Sequence, residues 1–293
     1  MDLIRRLFGR DPPPIPGTLW ADAIDSMPFL QRLDDDELRR LQDLTGRFLA
    51  RHAISGAHGF TVTDDIALCI AAQACLPVLN LTLDLYRDIA GIIVYPSAFI
   101  VRHSEMDEAG VVHEWEAPMA GEALDAGGAV ALSWEDALED HAWNDGGNLV
   151  IHEFVHKIDM GSGGANGCPP FLAEFHQAIS PAHWTRVFCA AYEDFCRRVD
   201  GFERRLPAGF DEDDDSHLER YAELAQALPM DPYGAESPAE FFAVASEAFF
   251  TRPAPLAEAY AQVVELLEQY YRQTPIRPGS AGSEIRRSKG LPV

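Results

Sequence analysis

The feature that most constrains this chain is the run at residues 149–160, LVIHEFVHKIDM, where three chemically demanding side chains sit inside an apolar segment. Read as a helix, it puts His152 and His156 one turn apart, so both imidazoles leave the same face. Glu153 stands beside the first of them. Leu149, Val150, Ile151, Phe154, Val155 and Ile158 are apolar and make this a helix buried on most sides. Burying two histidines and a glutamate there is unfavourable unless something satisfies them. A zinc ion with its bound water does so, because two neutral imidazoles at this separation can chelate one ion. The alternative is that both histidines are ordinary hydrogen-bonded core residues. The bare pattern HExxH recurs by chance, and its apolar flanks make the match here more specific.

Charge narrows the classes of partner. The chain has 293 residues and a net charge of −24, from 47 acidic and 23 basic side chains. Such a surface repels phosphate backbones and anionic bilayers, so neither direct nucleic-acid binding nor membrane association is expected. The five cysteines, Cys69, Cys75, Cys168, Cys189 and Cys196, are odd in number and lack close pairing. They read as free thiols in a reducing compartment. The first residues lack an apolar stretch of signal-peptide length, and no run reaches the roughly 18 apolar residues of a membrane span. The expected location is the cytoplasm.

Along the chain, residues 1–17 form a short amphipathic start and a proline-rich connector. Asp34 or Asp35 is expected to cap a helix running to Arg51, with Leu38, Leu41, Leu44 and Phe48 as its apolar stripe. Thr63 opens a buried helix over 66–76 that breaks at Pro77, and 79–85 continue as helix. Residues 90–95 (AGIIVY) read as a strand, 99–102 as extended, 111–115 as a hairpin strand and 129–133 (AVALS) as another strand. The last of these is expected to form the edge beside a cleft, where substrate backbone could pair. Asn148 is the N-cap candidate for the histidine-bearing helix. Further helices are expected at 171–179 and 182–199. The acidic run at 211–215 (DEDDD) reads as a solvated linker, since it lacks the glycine and ligand spacing of a calcium loop. The fold class is α+β and zincin-like, mainly helical with a small mixed sheet beside the HExxH helix. The expected organisation is an N-terminal helical segment over 1–56, a catalytic domain over 57–275 and a disordered tail over 276–293.

A catalytic zinc keeps three protein ligands and an open position. One zincin class takes its third ligand from a histidine six residues after the second motif histidine, with a glycine three after it. Those positions hold Ser162 and Asp159, which excludes that class. Glu174 is a candidate on distance alone. Residues 231–250, DPYGAESPAEFFAVASEAFF, are more informative. Ser237 and Pro238 start a helix. Within it, Glu240 and Glu247 lie two turns apart on a face otherwise full of phenylalanine, valine and alanine. Carboxylates in that setting need a partner. Glu240 as zinc ligand and Glu247 as acceptor for a histidine N–H fit. The alternative is that both line an aqueous helix edge. Asp159 is a candidate to orient a ligand or to close the helix end.

The run HEFVHKID, with the later DPYGAESPAEFFAVASEAFF, resembles the Mlc titration factor A family of bacterial zinc peptidases, whose active site is related to the catalytic domain of anthrax lethal factor. The resemblance extends to residues 76–101 and 128–153 and covers roughly 20–275. It implies zinc ligands at His152, His156 and Glu240, one zinc ion per chain and a catalytic base at Glu153. It also implies a tyrosine, Tyr233, that steadies the oxyanion. The implied activity is a cytoplasmic peptidase of aminopeptidase type acting on peptide substrates. The implied partner is a transcriptional repressor of the Mlc type, and its sequestration is the competing reading of function. Residues 200–225, the loop at 161–170 and the arginine-bearing tail depart from the family pattern.

Overall fold

The computed structural model describes residues 14–106, 112–119, 121–123, 128–139, 147–211 and 213–275. The expectations for the chain start and for the 276–293 tail lie outside these residues. Among the described residues, the first elements are helix α1 (Gly17–Asp25) and a 3-10 turn (Pro28–Arg32), then α2 (Asp35–Arg51). Asp34 closes a reciprocal capping box: Glu37 N donates to its carboxylate at 2.9 Å, and Asp34 N donates to Glu37 Oε2 at 2.9 Å. Strand β1 (Ile54–Gly56) leads to α3 (Asp64–Cys75), capped by Thr63 as expected and buried almost throughout. Trp20, Ile24, Leu41 and Phe48 share one hydrophobic core with α3 and the elements that follow.

The helix expected to continue over 79–85 is instead a series of turns ending in a 3-10 turn at Leu83–Tyr86. Pro77 cannot donate into the ladder. Thr82 then takes the Asp84 amide on its hydroxyl at 3.2 Å, and Asn80 Nδ2 donates to Arg272 O at 2.8 Å. These local and long-range bonds replace helical ones.

Strands β2 (Ile92–Tyr95), β3 (Phe99–Met106), β4 (Val112–Met119), β5 (Gly121–Ala123) and β6 (Val130–Ser133) follow. β3 and β4 pair as an antiparallel ribbon from Phe99↔Met119 to Met106↔Val112. The other strands form a small mixed sheet in the order β1-β2-β6-β5, with β1, β2 and β6 parallel and β5 antiparallel to β6. This corrects one expectation. The strand at 129–133 is not an edge, because β6 pairs with β2 on one side and β5 on the other. The edge on that side is β5.

After α4 (Trp134–Glu139) comes α5 (Leu149–Asp159), the histidine-bearing helix, buried from Val150 to Asp159. It packs against β5 and β6. No helix forms at 171–179. There His176 Nδ1 accepts the Leu172 amide at 2.9 Å, and its Nε2 donates to Tyr270 O at 2.9 Å. The segment runs as turns, with His176 bonded on both ring nitrogens. Helix α6 (Pro181–Glu203) is capped by Ser180 and longer than expected. The described residues of the acidic run are exposed and lead from α6 into helix α7 (Asp215–Ala225), which Asp214 caps by accepting the Ser216 amide at 2.9 Å. Helices α8 (Pro238–Thr251), α9 (Pro253–Ala259) and α10 (Ala261–Tyr271) complete the fold. Trp184, Phe188, Phe242 and Tyr270 join α6, α8 and α10 in an aromatic cluster. All five cysteines are free thiols. Among the described residues, no helix is long and apolar enough to cross a membrane.

Candidate metal centre

Two helices build the site. On α5 the one-turn spacing brings the His152 and His156 rings to a centroid distance of 4.6 Å, with their Nε2 atoms 3.0 Å apart. Helix α8 crosses the same face and supplies Glu240 from its first turn, where Ser237 Oγ accepts the Glu240 amide at 3.2 Å. Glu240 Oε2 lies 3.0 Å from His152 Nε2 and 3.2 Å from His156 Nε2. Two turns further along α8, Glu247 Oε1 meets His152 Nδ1 at 2.6 Å, and its Oε2 accepts the Asn148 amide at 2.5 Å. Glu174 is not part of this group.

The donor set answers whether a metal fits. An ionised carboxylate can only accept, so His152 Nδ1 carries a proton toward Glu247, and once a metal displaces the other proton its Nε2 presents a lone pair. That lone pair faces His156 Nε2 and a Glu240 oxygen at contact distance. Without an ion, protonated imidazoles satisfy these contacts by donating to Glu240; a metal ion would displace those protons and take the same three atoms as ligands. His/His/Glu is a donor set that suits zinc, and this triangle is the group among the described residues with the composition and proximity to hold an ion. Glu153 adds a second sign. It is buried, and its Oε2 has no hydrogen-bond partner among the described residues. A bound water activated at the metal would provide one.

The electrostatics follow from burial and from this concentration of charge. Burial disfavours a charged His152, but Glu247, Glu240 and Glu153 outweigh it and hold its pKa well above the ordinary imidazole value. Burial likewise opposes the charge on Glu240, yet hydrogen bonds from His152 and His156 bring that carboxyl down to about 2. Burial pushes Glu153 up to about 7, against the pull of both histidines. Tyr233 sits in a 3-10 turn (Pro232–Ala235) with its ring centroid 5.9 Å from that of His152. It is 49% exposed, which is unusual for a large aromatic. Burial, then Glu240 and Glu153, push its phenol up to about 12, so it remains a proton donor.

Asp159, the last residue of α5, does not cap that helix end as one of its two expected roles required; its carboxylate reaches the loop that follows. Its Oδ2 accepts the Asn166 and Gly167 amides, each at 2.7 Å, and so pins the glycine-rich loop. Gly167 has φ +78° and lies so close to α8 that a Cβ there would meet Pro238 O at 2.5 Å. Any other residue would push the loop off the helix turn that presents Glu240. Sequence reading marked the loop's glycines but not which one α8 requires.

The sequence matches the family described as glucose-regulated metallo-peptidase M90 over residues 5–272. The chain belongs to the M90 metallopeptidase family. An uncharacterised protein of Synechocystis is 32% identical over 273 residues, covering 93% of this chain and 88% of the relative. Mlc titration factor A of Serratia proteamaculans is 32% identical over 258 residues, covering 88% and 87%. The protein of the same name from Escherichia coli (strain 55989 / EAEC) is 30% identical over 261 residues, again covering 88% and 87%. The resemblance read from the two motif blocks is therefore borne out across most of the chain. Membership in M90 implies a metal-dependent peptidase.

Proposed function

We propose that this protein is a zinc-dependent peptidase of aminopeptidase type, with zinc held by His152, His156 and Glu240. The observation that carries this reading is the convergence of the two Nε2 atoms and Glu240 Oε2 at 3.0–3.2 Å. A zinc ion there would polarise the substrate carbonyl and lower the pKa of a bound water. Glu153, buried beside the histidines, takes the proton from the attacking water and returns it to the leaving amine. The protonated phenol of Tyr233 donates a hydrogen bond to the developing oxyanion. The substrate main chain adds to β5 rather than β6, since both sides of β6 are already paired.

The test is direct. Hydrolysis of aminoacyl anilides is expected to vanish with a strong chelator and to return on adding zinc, in step with metal content. Hydrolysis that survives complete metal removal would defeat the proposal. Internally quenched peptides run alongside will separate terminal from internal cleavage. Tyr233→Phe should lower kcat by about 10²–10³-fold, the loss typical of one oxyanion donor, with zinc content unchanged. A rise in KM alone, with kcat intact, would assign the phenol to substrate binding instead.

A second reading draws on the relatives' name, Mlc titration factor A. In it the protein binds a transcriptional repressor of the Mlc type and hydrolysis is secondary. Binding to such a repressor that persists in Glu153→Gln, with cleavage lost, would establish two separable functions.

A further inference from the structure

We infer that Gln73 and Asn148 are positioning residues for the metal centre, acting through Glu247 on the direction and basicity of the His152 ring. The inference rests on the proposed zinc site and extends it to a helix that contributes no ligand. Glu247 is held at both oxygens by one short stretch of α5: Oε1 by His152 Nδ1 at 2.6 Å and Oε2 by the Asn148 amide at 2.5 Å. That amide belongs to the N-cap residue, whose N–H takes no part in the helix ladder and is free to serve the carboxylate. The direction of the amide therefore sets where Glu247 stands, and Glu247 sets where His152 aims its Nε2.

Asn148 is itself fixed by its side chain. Its Oδ1 accepts the Ile151 amide at 2.8 Å, the cap bond of α5. This leaves Nδ2, in a residue only 2% exposed, in need of an acceptor inside the protein. Gln73 Oε1 provides it at 2.8 Å. Gln73 comes from α3 and is 1% exposed. Its own Nε2 donates to Cys69 O, one turn back, at 3.1 Å. The two carboxamides thus orient each other: with Gln73 Nε2 committed to Cys69, only its oxygen faces Asn148, and with Asn148 Oδ1 committed to Ile151, only its nitrogen faces Gln73. Removing Gln73's acceptor leaves a buried donor unpaired and frees the cap to turn, which loosens Glu247 and then His152.

Residues that hold a metal-ligating histidine through a hydrogen bond typically affect metal affinity about 10–100-fold. One step further out, Gln73→Met and Asn148→Ser should each weaken zinc binding by about 3–10-fold. Methionine is close to glutamine in volume without its amide, and serine keeps the cap on Ile151 while lacking the Nδ2 group that reaches Gln73. Zinc affinity of the full chain would be read by competition with a chromophoric chelator. Because both changes break the same link, the double variant should bind zinc about as weakly as either single one. Ile70→Val, on the same helix but outside the chain of bonds, should lower thermal stability with zinc affinity unchanged. Gln73→Leu and Asn148→Thr replace either variant that does not fold, with the same expected direction. Wild-type zinc affinity in the folded single variants, or losses that multiply in the double variant, would overturn the inference alone. A wild-type protein that binds no zinc would overturn the metal site and this inference together.

Discussion

Glu153→Gln is expected to leave zinc content and thermal stability near wild type while lowering kcat for peptide hydrolysis by about 10²–10⁴-fold, the usual contribution of a general base. Glutamine keeps the shape of the side chain and removes its ability to take a proton. The reason to expect so large an effect is placement. Glu153 is buried on the helix that carries both histidines, and its Oε2 has no other partner among the described residues. It therefore stabilises little in the fold. Its pH dependence is a second check. Burial raises the carboxyl to about 7, and a divalent cation on the histidines would draw it lower. A base must be deprotonated to act, so kcat/KM should rise with pH along a limb centred at or below about 7, and activity is lost as pH falls through it. The limb should be absent from the residual activity of Glu153→Gln. A near-normal rate in that variant would rule out the mechanism.

Glu240→Ala should release the metal. Elemental analysis is expected to find about one zinc per chain in the wild type and close to none in the variant, with hydrolysis lost in parallel. Losing one of three ligands should weaken affinity by more than the roughly 10–100-fold expected for a residue that only supports a ligand. The variant should remain folded, because Glu240 lies in the first turn of α8 and the core face of that helix is built by Phe241, Phe242, Val244 and Phe249. Circular dichroism on the same samples separates release of the ion from unfolding. Full zinc occupancy in folded Glu240→Ala would mean that another side chain completes the site.

How much of this was legible in the sequence depends on the range of the interaction. Helical periodicity alone put His152 and His156 on one face, and Glu240 and Glu247 on another, two turns apart. The caps at Asp34, Thr63, Asn148 and Ser237 follow from side chains that reach a backbone amide within three residues. Apolar flanks around charged groups signalled that the two helices would need one another. These are local rules, and the chain obeys them.

Other features were decided only when distant segments met. The strand at 129–133 became an interior strand because β5 pairs with it, and strand order is set by long-range pairing that local propensity does not encode. The segment at 171–179 forms turns rather than a helix, with His176 bonded to Tyr270 O, 94 residues away, and to the Leu172 amide. Asp159 could be read as a helix-end residue, but its hold on Gly167, and Gly167's contact with α8, exist only in the packed molecule. Gln73 gave no signal at all, since a glutamine within an alanine-rich helix is unremarkable until Asn148 arrives against it. The sequence by itself thus determined which residues could hold a metal and activate a water. The tertiary structure determined which strand forms the edge of the small sheet and which buried amides meet beside the candidate ligands, because those depend on partners far apart in the chain.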